Sequence, residues 1–297
     1  MSPPRRPLAL LPTPLQRLAG MYLKRDDLCG FGLAGAKARA LEYLLGDALA
    51  RGADVLVTGG SPGSNFVAGA ALAASVCGLD CEVLVAGTAG EQPTATVRMA
   101  RCAGATVHYT GADRDALDTL VEERAAHLRE HGRAPYAVPR GGATPVGALG
   151  FATAAEELAA QLPFDEAAVV LPVGSGASIA GLLAGRAAIG AGWRVYGVSV
   201  SRPLPRIRDE ILGLVARMGH EAVTNWKLID ATGAAGDRDG PIMLAALRAD
   251  GVLFDAKYGT KALAAVARLR PDTHAPVVLW HTGGLPAALD LLGRAAT

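Results

Sequence analysis

The chain has few cysteines, four in 297 residues, and they are scattered: Cys29, Cys77, Cys81 and Cys102. At this length and spacing they do not form a disulfide framework. Cys77 and Cys81 have no nearby cysteine or histidine pair to complete a zinc site, so buried, reduced thiols are expected. His127 and His131 stand four apart in "EERAAHLREHGR", an arginine-rich segment, and read as surface residues. No metal is expected. Long hydrophobic runs are missing too, and none reaches the roughly 20 residues a membrane helix needs. The opening "MSPPRRPLALLPTPL" is broken by prolines and lacks a cleavage site, so it does not read as a signal peptide. A cytoplasmic protein without a membrane partner is expected. Neither sign of charge prevails: 29 basic and 28 acidic residues give a net charge of +1. That balance leaves no electrostatic footprint for nucleic acid. The short basic clusters Arg5-Arg6 and Arg202 to Arg208 read as solvated surface. No tandem repeat or low-complexity tract is visible.

Hydrophobic residues are abundant, at 51%, together with 37 glycines. Short apolar runs alternate with alanine-rich segments of helical period. Strands are predicted at 54–60, 81–87, 105–110, 135–139, 168–174, 194–201 and 276–284, and helices at 38–50, 65–77, 92–103, 113–131, 145–161, 178–190 and 260–269. Several strands are apolar throughout, as strands covered on both faces are. The alternation implies an α/β protein with mostly parallel sheets between helix layers. The stretch 224–241 reads as a long surface or active-site loop. Ligands of such sheets bind beyond the carboxyl ends of the strands. Three loops there are rich in glycine, serine and threonine: "TGGSPGSNF", "PVGSGASIAG" and "HTGGLPA".

In "VGSGASIAG", Gly174, Ser175, Gly176 and Ala177 turn the chain into a helix beginning near Ser178. Small residues at a helix start suit a phosphate; a tight, closely packed turn explains them equally well. Ser64 and Asn65 in "PGSNF" suit an N-cap, or a ligand's polar edge. Thr282 offers a hydroxyl where a strand ends. Lys37, in "GLAGAKARALEYLL", opens a helix among small residues, where positive charge is mildly unfavourable. Three such loops and this lysine together point to pyridoxal phosphate, held by a Schiff-base lysine on one loop and a phosphate cradle on another.

The segments "LPTPLQRL", "YLKRDDLCGFGLAGAKARALEYLLGDALARGADVLVTGG", "GSNF", "YAVPRGGATPVGALGF", "VGSGASIAG", "FDAKYGTKAL" and "HTGGLPAAL" cover nearly the whole chain in order. They resemble the 1-aminocyclopropane-1-carboxylate deaminase / D-cysteine desulfhydrase family of fold-type-II, tryptophan-synthase-β-like pyridoxal phosphate enzymes. The resemblance implies two three-layer domains with open, mostly parallel sheets. A large domain would comprise 1–47 plus 151–297 and a small one 48–150, with the cofactor in the cleft between them and the chain a homodimer. It makes Lys37 the Schiff-base residue and places Ser64 near the substrate Cα, with Tyr258 on the substrate side; these three are the expected catalytic residues. Asn65 would bond the cofactor's ring hydroxyl. Gly174, Ser175, Gly176, Ala177 and Ser178 would hold its phosphate, and Thr282 would lie near its pyridine nitrogen.

The implied activity is α,β-elimination and deamination of a small β-substituted amino acid, D-cysteine-like, through an aminoacrylate. β-Replacement or another specialised biosynthetic reaction is the alternative, and a non-catalytic small-molecule binder a third reading. A nucleotide-binding Rossmann enzyme would explain one glycine loop but not the lysine. The chain departs from the family pattern at several points. Family G-G-N-K is Ala34-Gly35-Ala36-Lys37 here, and Q-S-N-H is Gly63-Ser64-Asn65-Phe66. The family's D-P-V-Y becomes Asp255-Ala256-Lys257-Tyr258, and Gly259 stands where the deaminases carry glutamate, which argues against cyclopropane ring opening. A retained cofactor platform with a changed substrate pocket is expected.

Overall fold

The computed structural model describes residues 4–18, 20–220, 222–233, 239–269 and 274–295. Its larger sheet contains β1 (Leu15–Leu18), β2 (Met21–Arg25), β7 (Ala168–Val173), β8 (Arg194–Ser199), β9 (Trp226–Asp230) and β10 (Val277–His281), in the order β1-β2-β10-β7-β8-β9. Only the β1–β2 pairing is antiparallel. The smaller sheet is wholly parallel. It contains β3 (Val55–Gly60), β4 (Asp80–Val85), β5 (Thr106–Tyr109) and β6 (Pro135–Val138), in the order β5-β4-β3-β6.

The continuously apolar strands are explained by helices on both faces. Successive side chains of a strand point to opposite faces. In β7, Val169, Leu171 and Val173 enter one core with Phe151, Ile179, Leu182 and Ile207. Their neighbours Ala168 and Val170 enter another with Phe254, Ala262 and Val266. In β10, Val278 and Trp280 join the first core, Val277 and Leu279 the second. The small sheet divides likewise. Leu56, Val83 and Val85 pack with α1 (Lys37–Ala50) and α2 (Asn65–Val76), while Val55, Val57 and Leu84 pack on α4 (Leu117–Glu130). Each sheet is the middle of three layers. Helix α1 follows directly from β2 and the turn after it, yet gives Leu41, Leu44, Leu45 and Ala48 to the core under the small sheet.

All seven predicted strands and all seven predicted helices are present, with ends shifted by a few residues. Three strands and three helices were not anticipated. β1 and β2 carry charged side chains, and one of them, Lys24, is fully buried. The edge strand β9 occupies part of 224–241, read as a loop; residues 234–238 of that stretch lie outside the described residues. Helices α7 (Leu204–Arg217), α8 (Asp239–Asp250) and α10 (Leu285–Ala295) were missed as well. Proline is tolerated in the first turn of α7, where its missing N–H has no acceptor. The reading of 202–208 as solvated surface is corrected for Arg202. It is 6% exposed and donates through Nη1 to Gly174 O at 3.2 Å and Glu210 Oε2 at 2.6 Å. Cys29 and Cys81 are buried thiols as expected, whereas Cys77 is half-buried and Cys102 exposed. His127 and His131 are exposed, and no metal-ligating cluster occurs among the described residues.

A buried ionic cluster joins the first β-strands to α1 and to α5 (Pro145–Gln161). Arg39 donates to Asp26 from Nε (2.8 Å) and Nη2 (2.8 Å), and to Glu157 from Nη1 (2.9 Å) and Nη2 (2.8 Å). Lys24 pairs with Glu157 and donates to Gln161 Oε1 at 2.7 Å. Buried charges persist only when paired and hydrogen-bonded in this way. Burial alone would raise the Glu157 pKa, but Arg39 and Lys24 outweigh it and hold the carboxyl at about 2. The depressed value gives stability that is complete above the ordinary carboxylate range and lost as pH falls toward about 2. Glu157→Ala takes from Lys24 its paired carboxylate and from Arg39 one of its two, and is expected to cost about 3–5 kcal/mol at neutral pH. Urea unfolding should show a smaller loss of stability on acidification in the variant than in the wild type.

Candidate active site

One cleft collects the carboxyl ends of strands from both sheets. Gly59 and Gly60 line it from β3, Pro172 and Val173 from β7, and Thr282, Gly283 and Gly284 from the turn after β10. This is where an open α/β sheet offers its loops.

Lys37 lines the cleft as the first residue of α1. The preceding turn is fastened to the end of β10, since the Ala36 N–H donates to Thr282 O at 3.1 Å. Gly35 has φ +59°, and a Cβ there would collide with the Thr282 carbonyl oxygen and lie 2.9 Å from Gly283 Cα. Glycine is needed at residue 35 for both reasons. Among the described residues, nothing lies within hydrogen-bonding or ion-pair range of Lys37 Nζ. Burial lowers its pKa.

Ser64 occupies the N-cap of α2, but its side chain makes no capping bond, and it lines the cleft. A Cβ on Gly60 would sit 2.9 Å from Ser64 Oγ, so the bare backbone there makes room for the hydroxyl. Asn65 also lines the cleft. Its Oδ1 is buried without a hydrogen-bond partner. A buried acceptor left unpaired costs about 1–3 kcal/mol, so this atom marks a place where a bound group completes the site.

Beyond β7, Gly174 and Ser175 lead to Gly176 (φ +89°), which caps α6 (Ala177–Ala188). The first turn of an α-helix has N–H groups without intrahelical acceptors, which suits a phosphate. A Cβ on Gly174 would lie 3.1 Å from the Tyr258 ring and 3.2 Å from its hydroxyl. Gly174, Ser175, Gly176, Ser178, Tyr258 and Thr282 all line the cleft; Ala177 opens α6 but is not a lining residue. The structure therefore brings together every anticipated site residue except Ala177.

Other lining residues were not anticipated. Asp255 is almost wholly buried and accepts the N–H groups of Lys257 (3.0 Å), Tyr258 (2.7 Å) and Gly259 (3.0 Å). It thereby fixes the turn that presents Tyr258. Burial outweighs these donors and raises its pKa to about 6. Arg140 is held by Asp118 and Asp115. Arg114 comes from the loop between β5 and α4. Nothing in the sequence marks Arg114, whereas Asp255 stood in plain view within "FDAKYG". The departures from the family pattern are unequal in effect. Phe66 is buried and lines the cleft, but Ala36 packs in the core beside Ala148 and Phe151, and Gly63 faces open space.

An unpartnered lysine, an orphaned amide and a glycine-cradled helix start fit pyridoxal phosphate, with Lys37, Asn65 and the 174–178 turn as its contacts. Fold and cleft together define an α/β enzyme of the fold-type-II pyridoxal phosphate class. Residues 7–283 match the family described as pyridoxal-phosphate dependent enzymes. A Pyrococcus abyssi protein named "Putative 1-aminocyclopropane-1-carboxylate deaminase" is 34% identical, over 95% of this chain and 92% of its own length. The D-cysteine desulfhydrase of Salmonella choleraesuis is 31% identical, over 96% and 95% respectively. A crystal structure of an ACC deaminase homologue superposes with a TM-score of 0.90 at 31% identity, covering 99% of this chain and 95% of its own. The chain belongs to the pyridoxal-phosphate dependent enzymes and, among them, to the ACC deaminase / D-cysteine desulfhydrase family.

Asp255→Asn is expected to cost about 1–3 kcal/mol of stability through its lost acceptors. A raised acid pKa disfavours the folded state as the group ionises, so the Asp255 contribution falls as pH rises from the ordinary carboxylate range to about 6. Urea unfolding across that window should show this decline in the wild type and a flatter profile in the variant.

Proposed function

We propose that the chain is a lyase catalysing α,β-elimination and deamination of a small amino acid with a leaving group at Cβ. The observation that carries this reading is the unpartnered Lys37 amine in one cleft with the free Ser64 hydroxyl, the orphaned Asn65 oxygen and Tyr258. Pyridoxal phosphate, when bound, supplies a carbonyl that condenses with amines and a ring that withdraws electrons from Cα. Lys37 is poised to move the Cα proton at Nζ, because burial favours its neutral, basic form. Burial raises the Tyr258 phenol, which keeps its proton near neutral pH and can donate it to a departing group. Ser64 offers a second hydroxyl from the opposite sheet. Thr282, a neutral hydroxyl, does not enforce a proton on a ring nitrogen as a carboxylate would. Such an arrangement suits proton abstraction followed by prompt loss of the β-substituent. In this reading 48–150 forms the small domain and 1–47 with 151–297 the large one, and closing the cleft would bring Ser64 toward Lys37.

The test is spectral and chemical. Purified holoenzyme should absorb near the visible edge, and Lys37→Ala should lose that band and about 10³-fold or more in turnover. D-Cysteine or β-chloroalanine should yield an α-keto acid and ammonia. A protein that stays colourless with pyridoxal phosphate, or forms no keto acid from any β-substituted alanine, would sink the reading. A new adduct on adding a thiol would turn it toward β-replacement.

A further inference from the structure

Four charged side chains line the cleft: Lys37, Arg114, Arg140 and Asp255. Three are accounted for. Lys37 is the cofactor lysine, Arg140 is neutralised by Asp118 and Asp115, and Asp255 takes three backbone N–H groups. Arg114 is not. Its one polar contact is Nη1 to Ser201 Oγ at 3.1 Å, and no carboxylate lies within 4.0 Å among the described residues. Both flanking aspartates are engaged elsewhere: Asp113 accepts the N–H groups of Asp115 and Ala116, and Asp115 pairs with Arg140 and Arg206.

A second cation stands nearby. Lys257 is exposed and adjoins the cleft-lining Tyr258, its Nζ 5.7 Å from the centroid of that ring, again with no carboxylate within 4.0 Å among the described residues. Desolvation, and then the charge of Arg114, lower its pKa, while the nearby Asp255 carboxylate opposes them. They come from different sheets, Arg114 after β5 and Lys257 ahead of α9 (Gly259–Leu269). Like charges facing one cleft repel, and an anion bound between them would relieve the cost. The cofactor's phosphate has its own donors in the 174–178 turn. Lys257 also stands where the family motif quoted above has valine.

We propose that Arg114 and Lys257 form a second anion-binding position, and that the substrate is an amino acid whose β-substituent is itself a negatively charged leaving group: a sulfonate, departing as sulfite, or a phosphate, departing as inorganic phosphate. The proposal rests on the pyridoxal phosphate reading above for where the amino acid sits. Recognition of the charged arm would come from charge-assisted hydrogen bonds, bidentate at the guanidinium.

Aspartate and asparagine separate this recognition from turnover, since they share a shape and differ in the charge at Cβ. Each enantiomer is titrated into holoenzyme and followed by its absorbance; cysteate and O-phosphoserine are then compared with serine for keto-acid release. Aspartate should bind about tenfold or more tightly than asparagine, and the preference should shrink with added salt. Arg114→Gln, and independently Lys257→Val, should bring the ratio close to one. Equal binding of the pair by the wild type, or no response to aspartate, overturns the proposal. So does an Arg114→Gln variant that keeps the aspartate preference while losing affinity for pyridoxal phosphate in equilibrium dialysis, which would make Arg114 a phosphate ligand. Failure of the elimination reading shows separately, as absence of keto acid from every substrate whatever the aspartate-to-asparagine ratio.

Discussion

The site depends on how the start of α1 is fastened to β10. One tie is the backbone bond from Ala36 N–H to Thr282 O, made by the close approach of Gly35 to Gly283. The other runs through Asp26, which accepts Arg39 Nε and Trp280 Nε1 on the same carboxylate oxygen, each at 2.8 Å. Lys37 lies between these ties. Its position relative to Thr282 is set by backbone contacts and a buried carboxylate, not by contacts of its own side chain, whose amine stays free for chemistry.

Polar satisfaction differs sharply on the two sides of that helix start. Behind it, Lys24, Asp26, Arg39, Glu157 and Thr13 saturate one another in a closed cluster. In front of it, Lys37, Ser64, Asn65 Oδ1 and Arg114 have few partners or none. Buried polar groups in folded proteins are normally paired. Asn65 Oδ1 is the buried exception in the cleft among the described residues, and Lys37, Ser64 and Arg114 around it are half-exposed, open to solvent or to a ligand.

Much of this was legible in the sequence because it depends on local chemistry. Apolar runs and helical periods located every strand of the small sheet and the central strands of the large one. Glycine-rich turns after β3, β7 and β10 named most of the cleft. Long-range pairing stayed hidden. The pairing of Lys24 and Arg39 with Glu157 spans more than a hundred residues, and Arg202 was misread because its acceptor is the carbonyl of Gly174. Arg114 carries no local signal, since its place in the cleft follows from the packing of one sheet against the other. The departures from the family pattern were legible as letters but not as environments. Ala36 looked like a change in the pocket and lies in the core, while Phe66 does change the wall.

That division bears on how such an enzyme changes substrate. The glycines around the cleft are constrained by backbone geometry: Gly35, Gly60, Gly174 and Gly176 each sit where a Cβ would press on a neighbour at or below ordinary contact. Phe66, in the first turn of α2, and Arg114, on the loop after β5, reach the cleft as side chains, and neither belongs to those glycine turns. A charged β-substituent changes affinity by charge-assisted bonds to one or two such side chains, whereas a new cofactor geometry would require moving strands. Specificity can therefore diverge at the rim of the cleft while the lysine, amide and glycine turns beneath it stay fixed.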